Sequence, residues 1–283
     1  MRWANAIFGD NIIGVVEHQG KVYAFNETLD STLFYNDLHK IPTTTTDIKN
    51  LGGAPIDGLN FDDLEVTMPV LAPAKILCVG LNYADHAQET GQDTPEYPTI
   101  FTKYSNALIG QGEEIRIPEE STKIDWEAEL AVVIGASARR VSTEDALDYV
   151  LGYTVLNDVS VRDWQGRTSE WFQGKNWDEM TPFGPCIVST DDIDPQGGLR
   201  ISCTVDGVVR QDSSTANMIF SAAEVVAYLS TFMTLEPGDV ISLGTPAGVG
   251  LSVKPRAWLA PGQTVETEIE GIGRLVNVCS EPA

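Results

Sequence analysis

The stretch "KIDWEAELAVVIG" (residues 123–135) joins two acidic side chains to the start of an apolar run. Its second half is short, rich in β-branched residues and closed by Gly135, which is typical of a buried strand. Side chains two residues apart share a face of a strand, so Glu127 and Glu129 point the same way if the strand begins near Trp126. Two such carboxylates repel each other, and burying either one costs free energy.

A divalent cation between the two carboxylates would remove this repulsion, because Mg²⁺, Mn²⁺ and Ca²⁺ prefer oxygen ligands. A third ligand is expected at another strand end, and Asp158 follows the strand-like segment "YTVLN" (153–157). The alternative is that Glu127 and Glu129 are half-exposed on an edge strand and that Asp158 begins a turn. The spacing alone leaves both interpretations open.

The composition excludes some classes of function. The chain has 283 residues, 42% of them hydrophobic, which is enough for a large core, and its net charge of −23 argues against nucleic-acid binding. No apolar run is long enough to predict a membrane span, and the first residues lack the layout of a secretory signal, so we expect a cytoplasmic protein. The four cysteines form no CxxC pair and are expected to be reduced and buried.

The domain organisation is predicted from turn-rich segments and hydrophobic patterning. Residues 12–26 predict a β-hairpin that turns near Gln19-Gly20, and a short helix is expected near 31–40, in the segment that contains His39. The threonine run "TTTT" (43–46) is expected to be a loop or an edge. We predict a small, β-rich N-terminal domain over residues 1–70 and a catalytic domain over residues 71–283.

Strand signals dominate the larger domain, and two segments carry helix signals. The helices are expected at 142–150, where Ser142 would be the N-cap, and at 221–233, where Ser221 and Glu224 would form a capping box. Many strands and few helices predict a mainly β (α+β) fold and not a doubly wound α/β fold. The predicted strands are 76–80, 99–103, 128–134, 150–157, 186–189, 200–205, 240–243 and 264–269.

Three further side chains are candidates for catalysis. Lys175 lies in a loop bounded by glycine and proline, where it could face the oxygens of a substrate or lie on the surface as most lysines do. His86 and Glu89 are three residues apart, so on a helix the carboxylate could orient the imidazole and raise its basicity. The chain has three histidines, and we assign no partner to His18 or His39.

Six motifs in order along the chain resemble the fumarylacetoacetate hydrolase family. They span about residues 70–280, and the first 70 residues match only loosely, as the variable N-terminal domain of longer members. Each motif is weak alone, whereas six in the same order make a specific match. The motifs are "VGLNYADHAQE", "DWEAELAVVIG", "GYTVLNDVSVRDWQ", "QGKNWDEMTPFGP", "MTLEPGDVISLGTPAGVG" and "VETEIEGIGRLVN".

The resemblance implies a mixed β-roll catalytic domain, a homodimer, and Mg²⁺ or Mn²⁺ as the cofactor. It implies that the metal ligands are Glu127, Glu129 and Asp158. The catalytic residues that it implies are His86, Glu89 and Lys175, with the histidine and glutamate in a segment that commonly orders over the site when ligand binds. The substrate contacts that it implies are Tyr83, Arg162, Gln165 and Thr245.

The resemblance leaves the reaction open. We favour hydrolysis of the C–C bond of a 2,4-diketo acid, of the acylpyruvate or fumarylpyruvate kind, through a metal-stabilised enolate, because His86 and Glu89 are both intact. The alternatives are decarboxylation of oxaloacetate or a related 2-oxo acid, and keto–enol or diene-dioate isomerisation in aromatic catabolism. An alternative of another class is a non-catalytic carboxylate- or metal-binding protein. Leu81 stands where many members have arginine, which puts a second substrate carboxylate at that point in doubt.

Overall fold

The structure is a computed structural model that describes residues 1–25, 45–50 and 52–282. The helix predicted near 31–40, His39, and the first half of the threonine run lie outside the described residues. None of the described helices is long and apolar enough to cross a membrane.

Strands form most of the described secondary structure. In chain order they are β1 (Arg2–Phe8), β2 (Asn11–His18), β3 (Lys21–Ala24), β4 (Ala54–Ile56), β5 (Ile76–Gly80), β6 (Thr99–Lys103), β7 (Leu108–Ile109), β8 (Glu114–Ile115), β9 (Ile124–Asp125), β10 (Ala128–Ile134), β11 (Val150–Asn157), β12 (Ser160–Val161), β13 (Thr181–Ser189), β14 (Arg200–Val205), β15 (Val208–Ser214), β16 (Val240–Ser242), β17 (Thr264–Ile269) and β18 (Gly273–Cys279).

Five α-helices connect or flank these strands in the described part of the chain. They are α1 (Thr45–Asn50), α2 (Ala84–Thr90), α3 (Arg162–Gln165), α4 (Phe172–Lys175) and α5 (Ala222–Phe232). Short 3₁₀ turns lie at Phe61–Asp63, Ser105–Ala107, Ala146–Tyr149, Pro195–Gly197 and Thr215–Asn217.

Two mixed sheets build the fold. The larger has the strand order β4-β3-β2-β1-β13-β11-β10-β16-β5-β6, and β7 pairs with β13 beside this path. The smaller has the order β15-β14-β17-β18-β8, and β9 and β12 form a separate short ladder. Most pairs are antiparallel, whereas β16–β5, β13–β7 and β18–β8 are parallel. The predicted mainly β fold with mixed sheets is confirmed.

Strand β10 lies in the middle of the larger sheet and is buried on both faces. Its side chains alternate between two apolar clusters, as the two-residue period of a strand requires. Leu130 and Val132 belong to the cluster that also contains residues of the smaller sheet and of helix α5, and Ala131 and Val133 belong to the cluster on the opposite face. The sequence of β10 therefore reads as a continuous apolar run after Glu129.

Helix α5 begins and ends close to the prediction for 221–233. Ser221 is its N-cap, and the capping box with Glu224 is complete, because each side chain bonds the backbone N–H of the other residue. Its buried residues pack into the core between the sheets, so tertiary contacts and capping favour the same helix.

The N-terminal strands continue the larger sheet. β2 and β3 form the predicted hairpin with its turn at Gln19-Gly20, and β1 pairs with β13 through Arg2 and Trp3. β1 also pairs with β2, and β3 pairs with β4, so strands β1 to β4 are hydrogen bonded into the same sheet as β10. The domain boundary at residue 70 stays a prediction.

The helix predicted over 142–150 is wrong. The Ser142 hydroxyl does bond to Asp145, but this contact closes a turn that leads into the 3₁₀ turn Ala146–Tyr149. From Val150 onward the chain pairs with β10 and β13, because this apolar segment gains more from burial in the sheet than from one helical turn. The strand predicted at 186–189 is longer than expected and begins at Thr181.

The four cysteines are buried and free, as predicted. Strands β1, β15 and β18 were absent from the sequence prediction. β15 lies at an edge of the smaller sheet and is largely polar and exposed, so it lacks the alternation that marks a half-buried strand.

Gly152 marks the closest backbone approach between β11 and β13. A Cβ atom at this position would lie 2.1 Å from the carbonyl oxygen of Val188, which is fixed backbone. We expect Gly152→Ala to lower the free energy of unfolding by about 3 kcal/mol, the upper part of the range for overpacking. Chemical denaturation followed by tryptophan fluorescence measures this loss.

The matched control is Gly166→Ala, because a Cβ there would approach nothing closer than the Arg162 carbonyl oxygen at 3.6 Å. We expect this control to stay within about 0.5 kcal/mol of the wild type. Equal losses in the two variants would contradict the close approach at Gly152.

Candidate metal centre

Three buried carboxylates converge at one end of β10 and β11. Ala128 pairs with Asn157 in the antiparallel ladder, so Glu127 and Asp158 lie opposite each other, and the Asp158 N–H donates to the Glu127 carbonyl oxygen at 2.8 Å. Opposed side chains in an antiparallel pair share a face. One ligand oxygen from each of Glu127, Glu129 and Asp158 lies within 4.8 Å of the others. The structure therefore brings together the three residues that the sequence predicts as metal ligands.

Strand β16 fixes the orientation of Glu129. The Ser242 hydroxyl donates to Glu129 Oε2 at 2.5 Å, and the Gly244 N–H donates to the same oxygen at 2.9 Å. Gly244 has a φ of +88°, and a Cβ there would lie 2.8 Å from the Val79 carbonyl oxygen, so glycine is required at this position. Both hydrogen bonds reach the same oxygen, Oε2.

Two buried lysines neutralise part of this negative charge. Lys175 Nζ lies 2.7 Å from both Glu127 Oε2 and Asp158 Oδ2, and Lys103 Nζ lies 2.7 Å from Asp158 Oδ1. Both lysine side chains are at most 2% exposed. Lys175 therefore lies between the carboxylates, and the surface alternative for this lysine is wrong.

The packing of two short helices places Lys175. It ends α4, and the glycine before it packs directly on α3, because a Cβ on Gly174 would lie 2.5–2.6 Å from atoms of Gln165. A larger residue would push the two helices apart and move the lysine away from the carboxylates. The "QGK" sequence is thus explained by packing as well as by charge.

The charges around the cluster shift the pKa values of its members in different directions. Burial raises the pKa of Glu127, but the positive charges of Arg162 and Lys175 outweigh burial and lower it to about 2. Burial, together with the negative charges of Asp158 and Glu127, holds the pKa of Glu129 well above its ordinary value. Burial alone would lower the pKa of Lys175, but Asp158 and Glu127 raise it. Glu129 is therefore the carboxylate of the cluster whose negative charge is least compensated by the protein.

These residues fit a divalent metal ion. The donors are hard carboxylate oxygens from three chain positions, and they are nearly inaccessible to water. In the structure the ammonium group of Lys175 supplies the positive charge between Glu127 and Asp158. A site that holds one cation among three carboxylates has the chemistry that Mg²⁺ or Mn²⁺ requires.

A cavity of about 410 Å³ opens onto this cluster. Its wall contains most of the polar residues that the sequence predicts, namely His86, Glu127, Glu129, Arg162, Gln165, Lys175 and Thr245. Its apolar wall is formed by Val79, Leu81, Phe101, Trp171, Val249 and Leu251. Arg162 and Lys175 are the cations among its described lining residues, and both are bonded to carboxylates.

Helix α2 carries the histidine–glutamate pair to this cavity. Glu89 Oε2 lies 3.2 Å from His86 Nδ1, and Glu89 Oε1 accepts a hydrogen bond from the Gly248 N–H at 3.1 Å. The glutamate is therefore held between the helix and the loop that follows β16. This arrangement fixes the imidazole at Nδ1 and leaves Nε2 as its other proton-transfer atom.

Arg162 and Thr245 have partners within the protein. Arg162 donates to Asp125 at 2.7 Å, to Glu127 at 2.6 Å and to Gln165 at 3.0 Å. The Thr245 hydroxyl donates to the Ala128 carbonyl oxygen at 2.9 Å. Both residues line the cavity, and their direct contact with a substrate stays a prediction.

Tyr83 lies outside the cavity wall, and its contact with a substrate stays a prediction. Its side chain is wholly buried in the core between the sheets and is not part of the cavity wall. Its hydroxyl has no hydrogen-bond partner among the described residues, and burial, with the charges of Glu129 and Asp85, raises its pKa. The chain turns at Leu81, whose φ is +55°, so Leu81 and not Tyr83 faces the cavity.

The sequence analysis missed two charged residues of the site. Lys103 is the last residue of the predicted strand 99–103. A lysine at the end of that strand is the sequence feature that could have identified it. Asp125 lies two residues before Glu127, and its distant partners come from two segments, at Arg162 and at Gly250–Leu251. Such partners are set by the tertiary fold and leave no local pattern.

Comparison with known proteins connects this site to a family. The sequence profile described as "Fumarylacetoacetate (FAA) hydrolase C-terminal" matches residues 75–279. The chain belongs to the fumarylacetoacetate hydrolase family. The family resemblance noted in the sequence is therefore confirmed.

Relatives of known sequence carry a more specific name. The family member from Rattus norvegicus named mitochondrial oxaloacetate tautomerase is 45% identical over 210 residues, which is 74% of this chain and 67% of the relative. A Bos taurus protein with the same name is 40% identical over 256 residues, 90% of this chain and 81% of the relative.

Solved structures of the family share the whole fold. The fumarylacetoacetate hydrolase of Exiguobacterium antarcticum has a TM-score of 0.84 and 32% identity, with 99% of both chains covered. The structure named 5-carboxymethyl-2-hydroxymuconate delta-isomerase, from Mycobacterium smegmatis, has a TM-score of 0.78 and 34% identity, with both chains fully covered. Proteins named for hydrolysis and for isomerisation thus share this architecture.

Metal binding is testable through Glu129. Glu129→Gln keeps an oxygen acceptor for the Ser242 hydroxyl and the Gly244 N–H but removes a ligand charge. We expect Mg²⁺ to stabilise metal-stripped wild type by about 2.7 kcal/mol at 100 times its Kd, and to stabilise the variant far less. Thermal denaturation with and without Mg²⁺ measures both.

The matched control is Glu144→Gln, an exposed position with the same change of charge. It should keep the full response to Mg²⁺. A response of wild-type size in Glu129→Gln would contradict the assignment of this carboxylate as a ligand.

Proposed function

We propose that this protein is a metal-dependent enzyme that interconverts the keto and enol forms of a short 2-oxo acid, with oxaloacetate as the substrate. The observation that carries the proposal is one cavity whose wall holds His86, Glu127 and Glu129, with Glu89 and Asp158 directly beside them. The chain that contains it is 40–45% identical to proteins named oxaloacetate tautomerase. Keto–enol isomerisation was the third of the reactions considered from the sequence.

The carboxylate cluster defines where the cofactor belongs. Glu127, Glu129 and Asp158 would hold Mg²⁺ or Mn²⁺, since their ligand atoms lie within 4.8 Å of one another. When bound, such an ion is a Lewis acid that polarises an oxygen-bearing substrate group and stabilises negative charge on it.

Polar side chains of the cavity wall would bind the substrate acid. Lys175 lies beside Glu127 and Asp158 and offers a positive charge to a substrate oxygen. Gln165 and Thr245 offer an amide and a hydroxyl on the same wall. Leu81 and Phe101 exclude water from the substrate's carbon chain, which strengthens these polar contacts.

His86 is the group that would move the proton. Tautomerisation transfers one proton between C3 and the oxygen on C2, with no change in composition and no co-substrate. Glu89 holds Nδ1 of the imidazole, so Nε2 can give a proton to C3 of the enol or remove one from C3 of the keto form. While the proton is on His86, the positive charge of Lys175 would stabilise the negative charge on the oxygen of C2.

The comparisons favour this reaction over the hydrolysis that the sequence analysis preferred. Hydrolysis of an acylpyruvate needs an attacking water as well as the same base and cation. Hydrolysis of a 2,4-diketo acid and decarboxylation of oxaloacetate are therefore assayed in parallel with tautomerisation. A non-catalytic metal-binding protein would show none of the three reactions.

A second candidate is isomerisation of a 2-hydroxy-diene dioic acid. Two structures named as isomerases of this chemistry, both from mycobacteria, are 33–34% identical to this chain over essentially its whole length. This reaction also moves a proton between carbon and the enol oxygen system, so the same histidine would serve it. A larger substrate would have to fit the cavity of about 410 Å³.

Assembly and location complete the proposal. We propose a homodimer, which the family resemblance implies, and a cytoplasmic location. Light scattering of the purified protein tests the first, and fractionation of the native cells tests the second.

The tautomerase proposal predicts a specific dependence on His86. With Mg²⁺ present, the wild type should accelerate loss of the enol form of oxaloacetate, followed by its ultraviolet absorbance. We expect His86→Asn to reduce kcat by about 100- to 10,000-fold, the usual contribution of a general acid–base group. His18→Asn, at the end of β2, should keep the wild-type rate.

Parallel assays of pyruvate release from acetylpyruvate and from oxaloacetate separate the reactions. The proposal expects tautomerisation to be faster than either pyruvate-forming reaction. Pyruvate release from acetylpyruvate that exceeds tautomerisation would restore the hydrolase interpretation, and wild-type activity in His86→Asn would remove the proposed proton transfer.

A further inference from the structure

Asp125 is a wholly buried carboxylate with four hydrogen-bond donors. Its Oδ1 accepts from the N–H groups of Trp126 at 2.9 Å and Gly250 at 2.6 Å. Its Oδ2 accepts from the Leu251 N–H at 2.9 Å and from Arg162 Nε at 2.7 Å. A buried charge is costly unless it is fully bonded, and these four donors satisfy it. Asp125 does not line the cavity, so its effect on a ligand must pass through these partners.

The first path runs through Arg162. Its Nε is held by Asp125, one terminal nitrogen donates to Glu127 Oε1, and the other donates to Gln165 Oε1 at 3.0 Å. A guanidinium group has donors and no acceptor, so Gln165 must turn its oxygen toward it. The amide nitrogen of Gln165 is therefore directed away from Arg162, and Gln165 lines the cavity. By holding Arg162, Asp125 orients the Gln165 amide so that its N–H donors are available to a ligand.

The second path runs through the loop 248–251. The same carboxylate holds two of its backbone N–H groups, and the adjacent Trp126 donates from its indole nitrogen to the Gly248 carbonyl oxygen at 3.0 Å. The Gly248 N–H donates to Glu89 Oε1, and the other oxygen of Glu89 lies beside His86 Nδ1. The loop is therefore fixed from one side by residues 125–126 and holds the glutamate of the acid–base pair on the other.

Glycine at two positions permits this close contact. A Cβ on Gly250 would lie 2.0 Å from the Ala257 carbonyl oxygen and 2.7 Å from Asp125 Oδ1. Gly248 has a φ of +102°, and a Cβ there would lie 2.1 Å from the Arg210 carbonyl oxygen. The loop backbone can approach the carboxylate because Gly250 lacks a side chain, and it can lie against the backbone of Arg210 because Gly248 lacks one.

We propose that Asp125 is a positioning residue that aligns two separate parts of the site: the amide of Gln165, through Arg162, and the His86–Glu89 pair, through the loop 248–251. The Gln165 path sets the affinity for a ligand carboxylate, and the loop path sets the rate of proton transfer. The assignment of these two effects rests on the proposed function, whereas the positioning itself rests on the hydrogen bonds.

The test is Asp125→Asn, which keeps the size of the side chain but replaces one acceptor oxygen by an NH₂ group that faces donors. We expect kcat/KM for oxaloacetate tautomerisation to fall by about 10- to 100-fold, as is usual for residues that orient the groups in direct contact with a ligand. The loss should appear both as a higher KM and as a lower kcat. Asp163→Asn, a neighbouring aspartate bonded to Ser121, is the matched control and should keep both constants.

Double variants separate positioning from general damage to the structure. In a Gln165→Ala background, Asp125→Asn should raise KM by no more than about twofold, because the group that it orients is already gone. In a Glu89→Ala background, it should lower kcat by no more than about twofold for the same reason. Full additivity in both backgrounds would overturn the proposal.

Binding of oxalate, a stable dicarboxylate analogue of a 2-oxo acid enolate, tests the first path without any reaction. By calorimetry with Mg²⁺ present, Asp125→Asn and Gln165→Ala should weaken oxalate binding to the same extent, and the double variant no further. The stabilisation by Mg²⁺ alone should be retained, and its loss would show that Asp125 acts through the metal ligands and overturn the proposal. If the wild type shows this oxalate-binding pattern but does not catalyse tautomerisation, the tautomerase function is wrong. The positioning of Gln165 by Asp125 would still be supported.

Discussion

The balance between buried carboxylates and buried cations governs the rest of this structure. Four carboxylates and three cations lie within a few hydrogen bonds of one another, so with every carboxylate ionised the described groups carry one excess negative charge; they are Asp125, Glu127, Glu129, Asp158, Lys103, Lys175 and Arg162. A divalent ion would change this charge to +1. An anionic 2-oxo acid could then bind despite the net charge of −23 on the whole chain. Such an ion would thus both stabilise the cluster and attract the substrate.

Backbone geometry makes this concentration of charge possible. The register of β10 and β11 sets Glu127 opposite Asp158, and the two-residue period puts Glu129 on the same face. Glycines at 174, 244 and 250 then allow helix α4, the end of β16 and the loop 248–251 to approach. Each of these positions brings a lysine, a backbone donor or a loop into hydrogen-bond distance, which explains why glycine accompanies the acidic residues in the motifs.

The sequence predicted those parts of the site that depend on local patterns. The acidic pair, Asp158 at its strand end and the His86–Glu89 spacing follow from the periods of strands and helices. The structure brings His86, Glu127 and Glu129 to the wall of one cavity, with Asp158 and Glu89 beside them. The capping box of α5 was also predictable. The helix at 142–150 failed because Val150 begins a sheet strand whose burial outweighs a local capping contact. Lys103 and Asp125 were missed because their partners are distant in sequence. A local sequence pattern does not show contacts that form only when the chain folds.

The reaction remains the least determined by fold, because hydrolases and isomerases share this architecture. The feature that both kinds of enzyme would share is a 2-oxo acid bound next to a cation. The most direct test is calorimetric titration of metal-stripped wild-type protein with oxalate, with and without Mg²⁺. We expect binding only when Mg²⁺ is present. Equal affinity without the ion would mean that Lys175 and Gln165 bind the acid by themselves and would contradict the metal centre.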